Sequence, residues 1–285
     1  MSGLLLMAPA LLLLLAVFVW PLIDYAWLSL QAQSVFTALE PVPVGTLNWQ
    51  RLLADGRFWQ DAWQTLRFAL VSVTLELAAG LAIALLLHQR WRGRGVARSL
   101  ALLPWALPTA VMALGWRWIF NDPYGPINGL LQLLGLASVP FLADPQLAWL
   151  ATVVADLWKT TPFVALLLLA GLQMIPDDLY EAFALEGGRP WQGLWRITVP
   201  LLRPYLFIAA LFRLAQALGV FDLIVVLTGG GPASSTESLA VYAYLNAMRF
   251  LDFGYSATVM LGMFLLLLLG AAALLVWRRQ AEVRA

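Results

Sequence analysis

Six long apolar runs divide this chain and limit what it can fold into. They cover residues 4–30, 68–87, 100–120, 147–171, 201–227 and 255–277. A helix of about 20 apolar residues crosses the hydrocarbon core of a membrane, and each run has that length. Hydrophobic residues make up 62% of the sequence and charged residues 12%, which is about half the charged share of soluble proteins. The sequence therefore predicts an all-α membrane protein with six transmembrane helices.

The first apolar run differs from a secretory signal peptide. No basic residue precedes it, it is longer than the apolar segment of such a peptide, and no small-residue cleavage site follows Pro21. We therefore expect it to be retained as a transmembrane helix.

Basic residues are distributed unequally between the two sides that six spans create. Of the 17 Lys and Arg residues, ten lie in or border the second loop, the fourth loop and the C-terminal tail, four lie on the other side, and three lie inside runs. Basic residues collect on the cytoplasmic side, so both termini and the fourth loop are predicted to be cytoplasmic. The arginine cluster at residues 90–98 is interpreted as part of this orientation signal, in preference to a nucleic-acid or lipid site.

The sequence lacks the residues that several kinds of active site require. It contains no cysteine, one histidine (His88) and one lysine (Lys159), which stands in Trp-Lys-Thr and not in a Gly-Lys-Ser/Thr phosphate loop. No set of His, Asp and Glu is spaced as metal ligands. We expect no ATPase or other enzymatic site, no metal and no cofactor in this chain.

Two loops are punctuated by Pro and Gly. Residues 121–146 predict a short apolar helix near 127–136, which is too short to span and is expected to lie along the outer membrane surface. Residues 228–256 open with Thr-Gly-Gly-Gly-Pro, where glycine permits backbone angles that other residues resist. On physical grounds alone we favour a flexible turn there.

The segment at residues 174–200 predicts two short amphipathic helices that meet at a glycine elbow. Pro176 and the two aspartates after it favour a helix start. Gly187 and Gly188 end that helix, and Pro190 begins the second one. The pattern is compatible with helices lying on the bilayer interface and with helices docked into a partner protein.

Several charged residues fall near the middle of the predicted spans, namely Glu76, Asp156 and Arg213. Charges at this depth are costly and face a cavity or a partner. Asp156 and Lys159 are three residues apart and are expected to pair on one helix face. Two interpretations stand, a structural ion pair and contact with a transported substrate.

The segment EAFALEGGRPWQGLWRITVP resembles the coupling loop of bacterial ABC importer permeases, whose pattern is Glu-Ala-Ala, three residues, Gly, nine residues, Ile-x-Leu-Pro. Phe183 and Val199 depart from that pattern. With LPWALPTAV, WRWIFN, YGPIN, AGLQMIP and LTGGGP, the chain resembles the first of the two permease subunits of binding-protein-dependent carbohydrate importers. The resemblance implies a type I permease fold in one domain over residues 1–285, with the coupling loop at 174–200.

The resemblance also implies functional residues. Contact with the ATPase is expected from Glu181, Ala182, Gly187 and Arg189. Contact with a sugar halfway across the membrane is expected from Trp105, Thr109, Asp156, Trp158, Lys159, Thr160, Phe163, Gln216 and Val220. Aromatic faces and hydrogen-bonding groups are the chemistry that sugars need.

The implied complex contains a second permease subunit, two ATPase subunits that hold ATP and Mg²⁺, and an extracytoplasmic sugar-binding protein. It is expected in a bacterial or archaeal cell membrane, in contact with lipid and not with nucleic acid. A neutral disaccharide or oligosaccharide is favoured as the substrate. Lys159 and Arg213 leave a glycerol-phosphate type of substrate open. An ion-coupled secondary transporter that uses the mid-span charges is the alternative from another class, and a membrane-embedded enzyme ranks third.

Overall fold

The computed structural model describes residues 2–36 and 38–283, and describes side chains for residues 7–36 and 40–272. Contacts divide the chain into a terminal unit, Met1–Gln64 with Glu237–Ala285, and a central unit, Thr65–Thr236. The expectation of one permease domain over residues 1–285 stays a prediction.

Most of the regular structure is helical. The first part of the chain contains α1 (Ser2–Leu14), α2 (Trp20–Ser29), β1 (Gln31–Ser34), β2 (Ala38–Pro43), α3 (Leu47–Ala54) and α4 (Gly56–His88). The middle contains α5 (Arg94–Ala106), α6 (Thr109–Ile119), α7 (Pro126–Leu133), α8 (Pro145–Leu172) and α9 (Asp178–Leu185). The last part contains α10 (Pro190–Gly193), α11 (Val199–Leu218), α12 (Asp222–Leu227), α13 (Leu239–Met248) and α14 (Phe253–Val283). Two π-helical turns, Leu15–Val19 and Leu194–Thr198, connect α1 to α2 and α10 to α11.

The described residues contain five helices that are long and apolar enough to cross a membrane. They are Met7–Ser29, Gly56–His88, Pro145–Leu172, Pro190–Leu218 and Phe253–Ala272. Helices α5 and α6 together provide the sixth span, which is bent by 92°. The predicted all-α, six-span architecture is confirmed, with one span broken.

The break in the third span has a local cause. Proline disfavours helical geometry at the residue before it, and Leu107, which precedes Pro108, has extended φ and ψ of −71° and 139°. Sequence reasoning predicted one continuous helix over residues 100–120 and was wrong at this point.

The fifth span also differs from its predicted bounds of 201–227. Helix α11 ends at Leu218, and the short helix α12 follows after Gly219. Glycine costs about 1 kcal/mol in a helix interior, so it favours an end at this position. Apolar content alone does not register such an end, since α12 is as apolar as the helix before it.

The loops contain more regular structure than the sequence indicated. The short helix predicted near residues 127–136 is present as α7, and its placement along the outer membrane surface stays a prediction. The antiparallel strands β1 and β2 and the helix α13 were missed. Helix α13 begins at a serine cap, where Ser238 Oγ accepts a hydrogen bond from the Val241 amide.

Polar contacts hold the terminal unit together beside a small apolar core. Asp55 accepts hydrogen bonds from the hydroxyl groups of Tyr242 and Tyr255. Burial raises the pKa of the Asp55 carboxyl, but the tyrosine hydrogen bonds and those from the backbone amides of Arg57 and Phe58 together outweigh burial, so the pKa is lowered. Arg57 forms two 2.9 Å hydrogen bonds with the Glu237 carboxylate, in the paired geometry that gives the strongest contacts of this type.

The central unit is built on close contact between α4, α8 and α11. Two apolar clusters line these helices, one around Phe68 and Trp149 and the other around Leu168 and Leu202. Gly80 allows α4 to approach α8 closely, because a Cβ on it would lie 2.6 Å from Val164 Cγ1. Small residues permit such approach between membrane helices, and the approach brings the charged residues of the three helices within reach of one another.

Candidate functional site

The glycine elbow has the geometry of a helix end that requires glycine. Gly187 has φ of +83°, in the left-handed region. Its amide donates to the Ala184 carbonyl at 3.0 Å, and the Gly188 amide donates to the Phe183 carbonyl at 2.9 Å. This pair of bonds is the Schellman arrangement, in which a left-handed glycine ends the helix and satisfies its last carbonyls. The predicted elbow is therefore present in the structure.

The second half of the elbow differs from the prediction. Helix α10 is not a separate short helix, because it continues through the π turn Leu194–Thr198 into α11 and forms one helix over Pro190–Leu218. The Tyr180 hydroxyl of α9 and the Thr198 hydroxyl lie 2.8 Å apart and share a hydrogen bond. Helix α9 is thereby tied directly to the base of the fifth span.

The residues that the resemblance assigned to the ATPase contact lie on an accessible surface of the elbow. Glu181, Ala182, Gly187 and Arg189 are all exposed. The Arg189 amide donates to Gln192 Oε1 at 2.9 Å, which starts the second helix. A partner protein can therefore reach these four residues while the hydrogen bonds of the elbow remain intact.

A buried cluster of charges connects α4, α8 and α11. Arg213 Nε lies 2.5 Å from Glu76 Oε2, and Arg213 Nη2 lies 2.9 Å from Glu76 Oε1. The same Nη2 lies 3.2 Å from Asp156 Oδ2. The Thr160 hydroxyl donates to Glu76 Oε1 at 2.8 Å. The Arg213 and Glu76 side chains are 3% and 0% exposed, so the charges neutralise one another away from water.

The expected pairing of Asp156 with Lys159 is wrong. Asp156 pairs with Arg213, whereas Lys159 Nζ donates to the Leu107 carbonyl at 2.6 Å and lies 3.5 Å from the Trp105 carbonyl. The last carbonyls of a helix have no partner within that helix, and a cation there is favourable. Lys159 thus stabilises the end of α5 at the break in the third span.

Aromatic side chains extend from this break along α8 and α11. Trp105 stacks on Phe163 with ring centres 5.8 Å apart, and Phe163 lies 6.1 Å from Phe212. Trp158 packs edge-on against Trp116 at 5.9 Å. Trp105 and Trp158 remain 47% and 43% exposed, so their faces are open to a ligand or to a partner chain.

The remaining predicted sugar-contact residues differ from one another in exposure and in their contacts. Gln216 is exposed, and its Oε1 accepts a hydrogen bond from Arg213 Nη1 at 2.5 Å. Thr109 is half-buried at the start of α6. Val220 packs against the apolar cluster around Phe68.

We use the name polar–aromatic band for the residues of α5, α8 and α11 that make the polar and aromatic contacts described above, without Thr109 and Val220. Its members are Trp105, Asp156, Trp158, Lys159, Thr160, Phe163, Phe212, Arg213 and Gln216. Phe212 was missed by sequence reasoning, although its position four residues before Gln216 places it on the same helix face. Within residues 2–36 and 38–283, no group of three potential metal ligands is found.

Comparisons with known proteins agree on one family. A family model described as "Binding-protein-dependent transport system inner membrane component" matches residues 76–281. The trehalose/maltose transport system permease protein MalF of Thermococcus litoralis is 42% identical over 93% of this chain and 90% of its own length. The sulfoquinovosyl glycerol transport system permease protein SmoG of Agrobacterium fabrum is 37% identical over 92% of this chain and 85% of its own length.

A solved structure has the same fold. It is that of a bacterial ABC transporter involved in the import of the acidic polysaccharide alginate, one chain of which is 20% identical to this one. The TM-score is 0.83, and the match covers 96% of this chain and 94% of that chain.

The buried charge cluster leads to a test of stability. Replacing Arg213 with Gln leaves the Glu76 and Asp156 carboxylates close together without a cation, which should cost about 3–5 kcal/mol. Adding Glu76→Gln removes one of the carboxylates and should recover part of the loss. Thermal unfolding of the purified protein in detergent measures both effects.

Arg203→Gln is the matched control, since Arg203 lies on the same helix and is exposed. Its melting temperature should stay near that of the unchanged protein. Equal losses with and without Glu76→Gln would contradict the assigned pairing.

Proposed function

The chain belongs to the binding-protein-dependent transport system inner membrane components, and we propose that it is the first of two permease subunits of an ATP-driven carbohydrate importer. It is a multi-pass membrane protein with the type I ABC importer permease fold. The proposal concerns the cargo, the partner subunits and the residues that serve each role.

The observation that carries this proposal is the unbroken helix between the elbow and the polar–aromatic band. Pro190–Leu218 contains Arg213 and Gln216 near one end and the elbow at the other. At 1.5 Å per residue, about 35 Å of helix separates Pro190 from Arg213. A displacement of the elbow by a docked ATPase therefore moves the residues of the band directly.

Alternating access follows from this linkage. ATP binding draws two ATPase subunits together, and each ATPase contacts an elbow through residues such as Glu181 and Arg189. Helix α11 carries the motion to the band, which opens toward a sugar-binding protein on the outer side. Both termini and the elbow are assigned to the cytoplasmic side, because most of the arginines lie there.

The chemistry of the band favours a neutral sugar. Trp105, Trp158 and Phe163 offer aromatic faces that stack on the C–H surfaces of sugars. Arg213 is engaged by Glu76 and Asp156, and Lys159 is engaged by backbone carbonyls. Both cations are thus occupied, which disfavours the glycerol-phosphate type of substrate. The names of the relatives, which refer to trehalose and maltose and to sulfoquinovosyl glycerol, support a carbohydrate cargo.

The ion-coupled alternative depends on charges that are free to exchange an ion. Arg213 and Glu76 are instead held together by two short hydrogen bonds away from water. The membership of the chain in an ATP-driven transport family also supports energy from a partner ATPase. ATP and Mg²⁺ are accordingly assigned to that partner.

The absence of a phosphate loop from the sequence predicts that the purified chain hydrolyses no ATP. Hydrolysis should appear when the chain is co-purified with its second permease and its ATPase, and the binding protein should stimulate it. Release of phosphate from ATP, measured in proteoliposomes, tests both statements. Robust hydrolysis by the lone chain would contradict the proposal.

The left-handed backbone at Gly187 predicts selective loss of coupling. A β-branched residue is strained in this conformation by about 1–2 kcal/mol, and no atom lies within 4 Å of the position that a Cβ would occupy. Gly187→Val should therefore lower transport per ATP hydrolysed without a steric clash. Sugar uptake and ATPase rates of the reconstituted complex measure this ratio.

Gly187→Asn is the matched control, because asparagine tolerates the left-handed region. It should keep most of the coupling. If Gly187→Val transports as well as Gly187→Asn, the conformation of the elbow is not required.

The exposed ring of Trp105 predicts a contribution to sugar affinity. Trp105→Ala should raise the apparent KM for uptake about tenfold, since it removes a stacking face. Trp118→Ala is the control, because Trp118 is also exposed but lies outside the band. Similar changes in both variants, or an unchanged KM in Trp105→Ala, would remove Trp105 from the sugar site.

A further inference from the structure

A basic cavity lies where α4 ends and α5 begins, away from the polar–aromatic band. Its volume is about 490 Å³. The lining residues are His88, Arg90, Arg94, Arg98, Gln173, Ile175 and Asp177. Three arginines and one histidine thus face a single acidic residue, and the fixed charges sum to an excess of positive charge.

The arginine side chains of this cavity do not use all of their N–H donors in contacts with described residues. Asp177 occupies only Arg90, at 3.2 Å, and both side chains are largely exposed. The Arg94 side chain makes no hydrogen bond or ion pair with another described residue. Arg98 Nη2 donates to the Leu87 carbonyl at 2.8 Å, while its buried Nε has no acceptor among the described residues. Buried donors are normally satisfied, so Arg98 retains one unmet donor beside the cavity.

A second cavity of about 670 Å³ adjoins the basic one and shares His88, Arg90 and Asp177 with it. Leu85, Leu172, Leu194 and Trp191 are among its lining residues, as is Glu181 of α9, which also belongs to the proposed ATPase contact. A basic space therefore continues into a partly apolar one. This combination fits a ligand that has an anionic head and an apolar tail.

We propose that the basic cavity binds the phosphate group of an anionic phospholipid, with the start of an acyl chain in the adjoining cavity. Arginine holds phosphate through paired N–H donors, and basic pockets between membrane helices bind anionic headgroups. A free phosphate ion can form the same contacts with arginine, but it has no acyl chain to fill the apolar part of the adjoining cavity.

The orientation signal in the sequence explains why arginines occur in this loop, but it does not explain their convergence. The positive-inside effect depends on the number of charges and not on their arrangement. Arg92 belongs to the same cluster but does not line either cavity. A substitution of Arg92 therefore distinguishes an effect of general positive charge from an effect of the cavity.

The test compares lipid binding by the purified full chain and by variants of it. The probes are phosphatidylglycerol, phosphatidylcholine and inorganic phosphate, and binding is measured by native mass spectrometry and by the shift in melting temperature. Phosphatidylglycerol should bind in preference to phosphatidylcholine, whose headgroup has the same phosphate but no net charge. Arg94→Gln should weaken this binding about fivefold or more, Arg94→Lys should retain part of it, and Arg92→Gln should leave it unchanged.

Arg94 is the preferred position because no hydrogen bond of the fold depends on its side chain, whereas Arg98→Gln removes a contact with Leu87. An equal effect of Arg92→Gln and Arg94→Gln would overturn the proposal, because the attraction would then come from general surface charge. Binding of inorganic phosphate without any preference for phosphatidylglycerol would overturn the lipid assignment. No binding of any of the three probes would overturn the site itself.

Discussion

The buried contact between Arg213 and Glu76 sets the arrangement of the central unit. The two residues are separated by 137 positions in sequence, yet they form two hydrogen bonds in a region where neither side chain reaches water. A charge in such surroundings is costly unless it is paired. The pairing therefore fixes α4 and α11 relative to each other along their axes, and Asp156 fixes α8 to the same level. A slip of one helix turn, about 5 Å, would separate all three charges.

The elbow depends on that fixed arrangement for its mechanical effect. Between Pro190 and Leu218 the helix has a π turn but no bend of the kind found in the third span. The Schellman end at Gly187 and the hydroxyl contact between Tyr180 and Thr198 connect α9 to this helix. In the proposed mechanism, force on α9 is transmitted through these contacts to Arg213, and through it to α4 and α8. At Leu107, where the third span is broken, the Lys159 side chain of α8 bonds the carbonyl at the end of α5.

Sequence reasoning predicted the features that depend on local chemistry. Apolar length indicated the spans, and Gly187, Gly188 and Pro190 indicated the elbow, because helix ends are determined by neighbouring residues. Sequence reasoning chose the wrong ion-pair partner for Asp156. The spacing rule considers only partners on the same helix, whereas the true partner is on α11. The strands β1 and β2 and helix α13 were missed because they are short, and short segments carry little periodic signal. The break at Pro108 had a visible cause, but apolar content was given more weight than proline.

The charge cluster also determines what the band offers to a ligand. Arg213 donates to the amide oxygen of Gln216, so the exposed end of that side chain is the NH₂ group, a hydrogen-bond donor. Lys159 directs its donors to the carbonyls of the α5 end, which removes a free cation from the surface next to Trp105. The accessible groups are then aromatic faces and a neutral amide donor, which match the C–H surfaces and hydroxyl oxygens of a sugar. The contacts that position the helices therefore also occupy the donors of Arg213 and Lys159.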